Sequence, residues 1–550
     1  MFEDLNYDEL RRRANAPLPD RVVATLEARG ERRTVSVGDV LYRVDDSGYP
    51  FFYVASGSLE VRDPDGMVLG TMDPGQSTGE LGMLLRQTSF SECAVAKSGE
   101  VVLVDPQVLA DLVQVDPEVS DLLLTAFAAR RLLLIRRQQG TLVLVGSDTA
   151  PTLQRVMQYA ERNRIPYRWA GSAERAQGQR VQASTDSTDA TVVVRGRHVL
   201  REPSVAEVAR ALGLELAAGE DNPVDLIIAG AGPAGFSAAI YGASEGLSTV
   251  LFDDVAIGGQ VGASSRIENI LGFPTGLSGA DLAFRAELQA IKFGARVTVP
   301  RSAEKLRPSS RPGFYEITLD DGSILRGRTV VIATGARYRR LGLPEEERFQ
   351  ASGIYYAATE IEARACKGQE IVVVGGGNSA GQAAMFLASR GSYVRLIHRG
   401  CELSDSMSQY LVERLRHAAN VKVETCSQVI QLFGDDRLRT IVVRGGDGEL
   451  AERAVGGLFV MIGADPSTEW LKDTAQLDDR GFILTGADCD IGGTGPRSLF
   501  ETSLPGVFAV GDVRSGSVKR VASAVGEGSV VVQAVHARLA FLRESSPITV

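Results

Sequence analysis

Three kinds of hydrophobic pattern follow one another along this chain. Up to about residue 105, apolar and polar positions alternate over short runs, as in Thr34 to Val37, Phe51 to Val54 and Leu59 to Arg62. Gly38-Asp39, Gly57-Ser58, Asp65-Gly66 and Pro74-Gly75 supply turns between the runs. Many short strands at this spacing predict a β-sandwich or β-roll. From about Pro117 to Arg137 the period becomes helical, with Leu122, Leu123, Phe127 and Leu134 apolar and arginines gathered at the end. A helix C-terminus favours such cations.

Residues 141 to about 215 carry a smaller α/β pattern. Leu142 to Val145 reads as a strand, Thr152 to Arg162 as a helix, Thr191 to Val194 as a strand and Ser204 to Leu212 as a helix opened by Pro203-Ser204. The polar run Ala173 to Thr188 reads as loop, and Ala217 to Pro223 as a linker. Beyond it, strand and helix patterns alternate to the end, which predicts a doubly wound α/β architecture. The expected domains are 1–140, 141–215, 223–338, 339–472 and 473–550.

Size and composition fit this multidomain reading. The chain has 550 residues, 44% of them hydrophobic and 23% charged, as in an ordinary globular protein. A formal charge of -10 offers no broad basic field for nucleic acid. Arg130, Arg131, Arg136 and Arg137 form a local basic cluster, and a solvated helix face accounts for it. The start of the chain has no signal-like apolar stretch, and no run approaches the ~18 apolar residues of a membrane span, so a cytoplasmic protein is expected. The five cysteines, Cys93, Cys366, Cys401, Cys426 and Cys489, never occur as CxxC. Neither a disulfide framework nor a metal site is expected from them.

Two glycine turns carry the chemistry. Gly230, Gly232, Pro233, Ala234 and Gly235 follow the apolar run Leu226 to Ala229, and Gly375, Gly377, Asn378, Ser379 and Ala380 follow Ile371 to Val374. Each joins a strand-like run to a helix-like one. That context lets backbone approach a dinucleotide pyrophosphate at a helix N-terminus. An acid, Asp253, ends the strand after the first turn, where a ribose hydroxyl would lie. The strand after the second turn, Tyr393 to Ile397, ends instead in His398-Arg399. Basic residues there favour a 2'-phosphate, so NADPH is expected, with NADH as the alternative.

Further segments add specificity: Gly258-Gly259-Gln260, Ile267-Glu268-Asn269 with Gly272-Phe273-Pro274, Ala333-Thr334-Gly335, Gly506 to Asp512, and Lys519-Arg520-Val521-Ala522. Together with the glycine turns they resemble the thioredoxin reductase branch of the pyridine nucleotide-disulfide oxidoreductases, over roughly residues 223 to 545. The resemblance implies FAD at the first turn and NADPH at the second. It puts Gln260 and Asn269 near the isoalloxazine, Asp512 beside Gly511 at the ribityl chain, and Val521-Ala522 at the flavin pyrimidine edge. Ile462-Gly463-Ala464 is similar to the strand that closes on the nicotinamide ribose. In that branch a Cys-Ala-Thr-Cys motif relays electrons to a protein disulfide. Aligned on Gly353 and Thr359, this chain has Ala357 and Glu360 in place of the cysteines. Neither can exchange with a disulfide. Cys366 has no resolving partner in sequence and reads as structural, as do Cys401, Cys426 and Cys489.

The first segment resembles the cyclic-nucleotide-binding domain. Gly79, Glu80 and Leu81 open a stretch similar to its phosphate-binding cassette, whose glutamate binds a ribose hydroxyl. The arginine that the family places on the phosphate is missing from Gln87 to Ser91. Cyclic-nucleotide binding and a scaffold that docks or senses something else both stay open. Residues 141–215 resemble a thioredoxin or glutaredoxin fold, with Ser147-Asp148-Thr149-Ala150 where the CxxC would be.

These readings converge on an NADPH-dependent FAD oxidoreductase, expected as a homodimer. Its acceptor lies outside the chain: a small redox protein, a low-molecular-weight disulfide, a quinone or oxygen. The alternative is a redox or cyclic-nucleotide sensor with little turnover.

Overall fold

The computed structural model of the chain describes residues 5–545, apart from Arg86, 138–141, 147–149, 171–189, 214–222, 265–266, 268–269, 351, 357, 359–361, 364–365, 436 and 491–497. The expected loop Ala173 to Thr188 therefore lies outside the described residues, as do most of the linker and of the Ser147 to Ala150 loop. The chain divides into two compact units. Residues Met1–Ala263, Leu277–Gly335 and Thr468–Val550 make up the first, and Ser264–Gly276 with Ala336–Ser467 the second.

The alternating runs near the start close into a roll of two antiparallel sheets. One has the order Glu31–Val35, Gly99–Val104, Phe51–Val54; the other runs Val40–Tyr42, Glu92–Lys97, Ser58–Arg62, Val68–Met72. Phe51, Val54, Leu59, Val101 and Val104 point inward and are fully or almost fully buried. Three helices escaped the pattern. Tyr7–Ala14 buries only Leu10 and Ala14, and Asp20–Arg29 only Val22 and Leu26, an apolar stripe too sparse to show in sequence. Pro106–Val115 carries a clearer signal. Asp105 caps it and a proline fills the first turn, as Asp116 and Pro117 do for the following helix, Pro117–Arg136.

The arginines at the end of that last helix correct the expected solvated face. Arg130 turns inward and donates to four carbonyls: Ala14 at 2.9 Å, Ser77 at 2.7 Å, Thr78 at 2.8 Å and Gly79 at 2.7 Å. Burial lowers its pKa to about 10. Arg137 reaches the Tyr7 hydroxyl and the Leu69 carbonyl. Arg131 stands 3.6 Å from the Glu80 carboxylate.

The small module is a four-stranded sheet ordered His198–Arg201, Thr191–Val194, Leu142–Val145, Tyr167–Ala170. The last pair is parallel and the other two antiparallel. Helix Pro151–Arg162 connects the parallel strands, and Val205–Ala211 follows with a Ser204–Glu207 capping box.

The rest of the first unit is built on a parallel sheet ordered Arg296–Thr298, Thr249–Phe252, Val224–Ala229, Ile324–Ile332, Val507–Ala509. The chain leaves Val224–Ala229 in one direction and returns on its other side, the switch point where doubly wound sheets bind ligands. Ile324–Ile332 also pairs antiparallel, along its first half, with Tyr315–Leu319. Helix Gly279–Lys292 packs Ala283 and Ala290 into the core of this sheet, while its Phe284, Leu288 and Ile291 belong to the core of the roll. The second unit repeats the theme with five parallel strands ordered Ile354–Tyr355, Gly457–Val460, Glu370–Val374, Tyr393–Ile397, Val421–Glu424. Among the described residues, no helix is long and apolar enough to cross a membrane.

Replacing Arg130 by Met keeps the apolar stem but strips four carbonyls of their donor. The variant is expected to lose about 3 kcal/mol of stability, read as a lower urea midpoint, with Arg130→Lys recovering part of the loss.

Candidate functional site

Four segments far apart in sequence meet at the switch point of the first unit. Gly230 ends its strand at φ 111°, and a Cβ there would collide with the Ala333 carbonyl. Gly232 precedes helix Pro233–Ser244, whose first turn carries Pro233, Ala234 and Gly235. A Cβ on Gly235 would strike the Gly230 carbonyl, so only glycine lets the turn close. The second segment, Ile257 to Gly259, folds under this turn: the Gly258 amide donates to the Ala231 carbonyl at 2.8 Å, and Gly259 lies against Gly232. Third, the Ala333 amide donates to the Ala229 carbonyl at 2.7 Å, which lays Thr334 and Gly335 beside Gly230. Fourth, Gly511 packs against Ala234, and its amide donates to Glu527 at 2.7 Å.

The space left open matters as much as the packing. A Cβ added to Gly232 or Gly335 would meet nothing within 4 Å. Helix Pro233–Ser244 begins at that opening without a side-chain cap, which leaves first-turn amides free there. These residues fit a dinucleotide diphosphate. Asp253 stands at the end of its strand as expected. Its carboxylate already accepts from the amides of Ala231 at 2.8 Å, Val255 at 3.1 Å and Ala256 at 3.2 Å. Burial, then the neighbouring Asp254, hold that carboxyl above the usual range. Burial does the same for Asp512, opposed by Lys519, whose ammonium bonds the Asp512 carbonyl at 2.9 Å. A hydroxyl donating to either carboxyl would favour its ionised form. Arg520, Val521 and Ala522 open the final helix, Val521–Ser545. Gln260 is exposed, and Asn269 lies outside the described residues.

The second glycine turn is equally closed. Gly375 follows Glu370–Val374 at φ 152°, and a Cβ there would strike the Met461 carbonyl. Gly377 precedes helix Asn378–Ser389, which holds Ser379 and Ala380 in its first turn. The segment after it braces the turn: the Ser406 hydroxyl donates to the Gly376 carbonyl at 2.8 Å, and the Ser408 amide to Asn378 Oδ1 at 2.7 Å. The His398 ring lies directly on Gly376 and Gly400, and Arg399 is exposed beside it. Ile462 follows Met461 at the same edge, and the Gly463 carbonyl accepts from the Arg339 amide at 3.0 Å. A Cβ on Gly377 would meet only the Ser406 carbonyl, at 3.8 Å and without a clash, so this turn too fits a dinucleotide.

The cysteines bring one correction. Cys401 and Cys426 form a disulfide with Cα atoms 4.6 Å apart, where the sequence predicts neither a pairing nor a framework. They are 25 residues apart, a spacing no motif marks, and they meet because parallel strands place both residues just past their C-terminal ends. The bridge closes the loop directly after His398-Arg399-Gly400, where the Cys426 amide also donates to the Gly400 carbonyl at 2.8 Å. Cys366 is fully buried, and burial raises its thiol to about 11. The positions of Ala357 and Glu360 lie outside the described residues.

In the roll, Gly79 takes φ 102°, with Phe127 and Phe51 packed where its Cβ would be. Glu80 caps the short helix that begins at Leu81. Its carboxylate accepts from the Gly82 amide at 2.8 Å and from the Tyr49 hydroxyl at 2.8 Å. The glutamate is thus held by Gly82 of its own cassette and by Tyr49 from an earlier part of the roll.

Known proteins match both parts of this description. The profile of the cyclic nucleotide-binding domain matches residues 32–116, so a domain of that kind stands at the N-terminal end. The "34.2 kDa protein in rubredoxin operon" of Clostridium pasteurianum is 34% identical over 312 residues, which are 56% of this chain and 96% of that protein. Thioredoxin reductase of Streptomyces clavuligerus is 32% identical over 59% of this chain and 96% of its own length. An alkyl hydroperoxide reductase component of Xanthomonas campestris pv. phaseoli is 33% identical over 59% of this chain, which spans only 58% of that relative. The crystal structure of thioredoxin reductase from Streptococcus pyogenes superposes with a TM-score of 0.52 at 30% identity, over 58% of this chain and 98% of that one. The thioredoxin reductase-like branch uses FAD and NADPH. The profile "Pyridine nucleotide-disulphide oxidoreductase" matches residues 224–528, more than half of the chain, and the chain belongs to that family of flavoprotein oxidoreductases.

Proposed function

We propose that this protein is an NADPH-dependent FAD reductase without a thiol relay of its own, passing electrons to an acceptor outside the chain. The observation that carries the reading is the convergence of Gly230 to Gly235, Ile257 to Gly259, Ala333 to Gly335 and Gly511-Asp512 on one helix start. FAD, when bound, supplies an electron sink for the hydride that NADPH carries. The amides after Gly232 hold its diphosphate, and Asp253 and Asp512 accept from its hydroxyls. Gln260, Asn269, Arg520, Val521 and Ala522 surround its ring system. In the second unit the amides after Gly377 hold the NADPH diphosphate, His398 and Arg399 receive the 2'-phosphate, and Ile462-Gly463 borders the nicotinamide ribose.

Ala357 and Glu360 leave no sulfur where the branch has its relay. Cys366 cannot replace it, since burial keeps its thiol protonated at neutral pH. Disulfide exchange through that position is thereby closed. The acceptor is a small redox protein, a low-molecular-weight disulfide, a quinone or oxygen. The strand order and crossover of the small module support a thioredoxin-like reading of it, and its part is docking or structure. The protein acts as a cytoplasmic homodimer. A second reading is a sensor with little turnover, favoured by the core that the roll shares with helix Gly279–Lys292.

Three measurements test these statements. Rapid mixing with NADPH under anaerobic conditions should bleach the visible absorbance of the flavin within the time of ordinary turnover; an unchanged spectrum would overturn the reductase reading. Steady-state rates against ferredoxin, flavodoxin, quinones, small disulfides, thioredoxin and oxygen should single out an acceptor, whereas uniformly slow rates would favour the sensor. Arg399→Glu should raise KM for NADPH about tenfold with little change for NADH.

A further inference from the structure

Two loops meet at the C-terminal ends of the parallel strands in the second unit. One continues strand Tyr393–Ile397 through His398, Arg399, Gly400 and Cys401; the other continues the neighbouring strand Val421–Glu424 through Thr425, Cys426 and Ser427. Two ties hold the His398 backbone: its amide donates to the Glu424 carbonyl at 2.9 Å, and its carbonyl accepts from the Ser427 amide at 3.0 Å. The next stretch depends on Cys426. The Cys426 amide donates to the Gly400 carbonyl at 2.8 Å, and its sulfur is bonded to that of Cys401. Arg399, just before these ties, is exposed. The His398 ring fills the space that a Cβ on Gly400 would need. A shift of Gly400 therefore reaches both side chains that the proposed site turns toward a 2'-phosphate.

Cys426 sits in an unusual backbone conformation. Its φ is 48°, in the left-handed region that a residue with a Cβ seldom adopts unless its surroundings hold it there. Gly446 makes room for it: a Cβ on Gly446 would stand 2.8 Å from the Cys426 Cβ. Cys401 is exposed, so a thiol in solution can reach its sulfur. In a cytoplasmic protein a disulfide is as a rule transient, and redox-sensing or catalytic, rather than a fixed structural link.

We propose, resting on the NADPH site assigned above, that the Cys401–Cys426 bridge sets nucleotide choice: closed, it holds Arg399 and Gly400 in place for a 2'-phosphate, and opened by a dithiol it releases them, so that NADPH binds more weakly and NADH as before. The reductant balances the step. One thiolate of the dithiol attacks the Cys401 sulfur, the S–S bond breaks, and Cys426 leaves as a thiolate that takes up a proton. The second thiol then attacks the mixed disulfide and releases Cys401 as a thiol. Two electrons and two protons have entered the protein, and the dithiol has become a disulfide. Freed of the bridge, Cys426 returns to negative φ and its amide leaves the Gly400 carbonyl. Arg399 and Gly400 thereby lose both ties to the neighbouring loop, while the His398 backbone keeps its own. A dinucleotide without a 2'-phosphate does not draw on the released residues. The sense of the switch is negative feedback, since abundant dithiol lowers the draw on NADPH and oxidation restores it.

Calorimetric titration of the full-length, FAD-loaded protein with NADP+ and NAD+ tests the switch without acceptor or turnover. Oxidised protein, once denatured, should show three free thiols, Cys93, Cys366 and Cys489, and all five after dithiothreitol. Reduction should weaken NADP+ binding about tenfold and leave NAD+ binding unchanged. Cys401→Ser and Cys426→Ser should each fix the weaker value, with or without dithiothreitol. Cys426→Gly, which adopts the left-handed conformation at no steric cost, should bind NADP+ more tightly than Cys426→Ser, a rescue that general loss of structure would not give. Equal NADP+ binding before and after reduction, five thiols without reductant, or equal weakening of NAD+ would overturn the switch and leave the reductase reading standing. Failure of NADP+ to bind in either state would overturn the NADPH site, and the switch with it.

Discussion

Helix Gly279–Lys292 is the constraint on which the first unit depends, because it is buried on two sides at once. Ala283 and Ala290 are small enough to bring its backbone close to the parallel sheet, and Phe284, Leu288 and Ile291 fill the roll from the opposite face. Burying three such side chains is worth roughly 5 to 8 kcal/mol, comparable to the whole stability of a small domain. The N-terminal roll is therefore no loosely tethered appendage of the dinucleotide-binding layer. Ser278 caps this helix and Asp281, in its first turn, pairs with Arg285 and approaches Arg164 of the small module. One helix thus holds three modules in register.

The same economy governs the glycine turns. At Gly230, Gly235 and Gly375 a Cβ would collide with a carbonyl, while Gly232 and Gly335 border open space. The first group lets loops close on one another; the second leaves room for a ligand. Each set is useful only because parallel strands hold the two sides of the turn at fixed separation.

Much of this was legible in the sequence because local patterns carry it. The glycine turns, the strands before them and the acid at Asp253 follow from short-range spacing, and the strand runs around Phe51 and Leu59 follow from period two. What escaped depends on contacts between distant residues. Tyr7–Ala14 buries only Leu10 and Ala14, because it packs chiefly on one helix, Pro117–Arg136. Arg130 reads as surface charge in the linear sequence, yet four carbonyls from distant parts of the chain surround it. The Cys401–Cys426 bridge joins the ends of neighbouring strands, and no linear spacing announces it.

Arg130 has a consequence of another kind. Its charge is met by carbonyl dipoles, with no carboxylate opposite it among the described residues. Carbonyls do not titrate, and the guanidinium itself loses its proton only near its lowered value of about 10. Folded and unfolded chains hold the same proton there at every lower pH, so this tie adds no pH slope to stability between acid and neutral conditions. The turn that carries Ser77, Thr78 and Gly79 is thus fastened by a contact that acidification leaves in place.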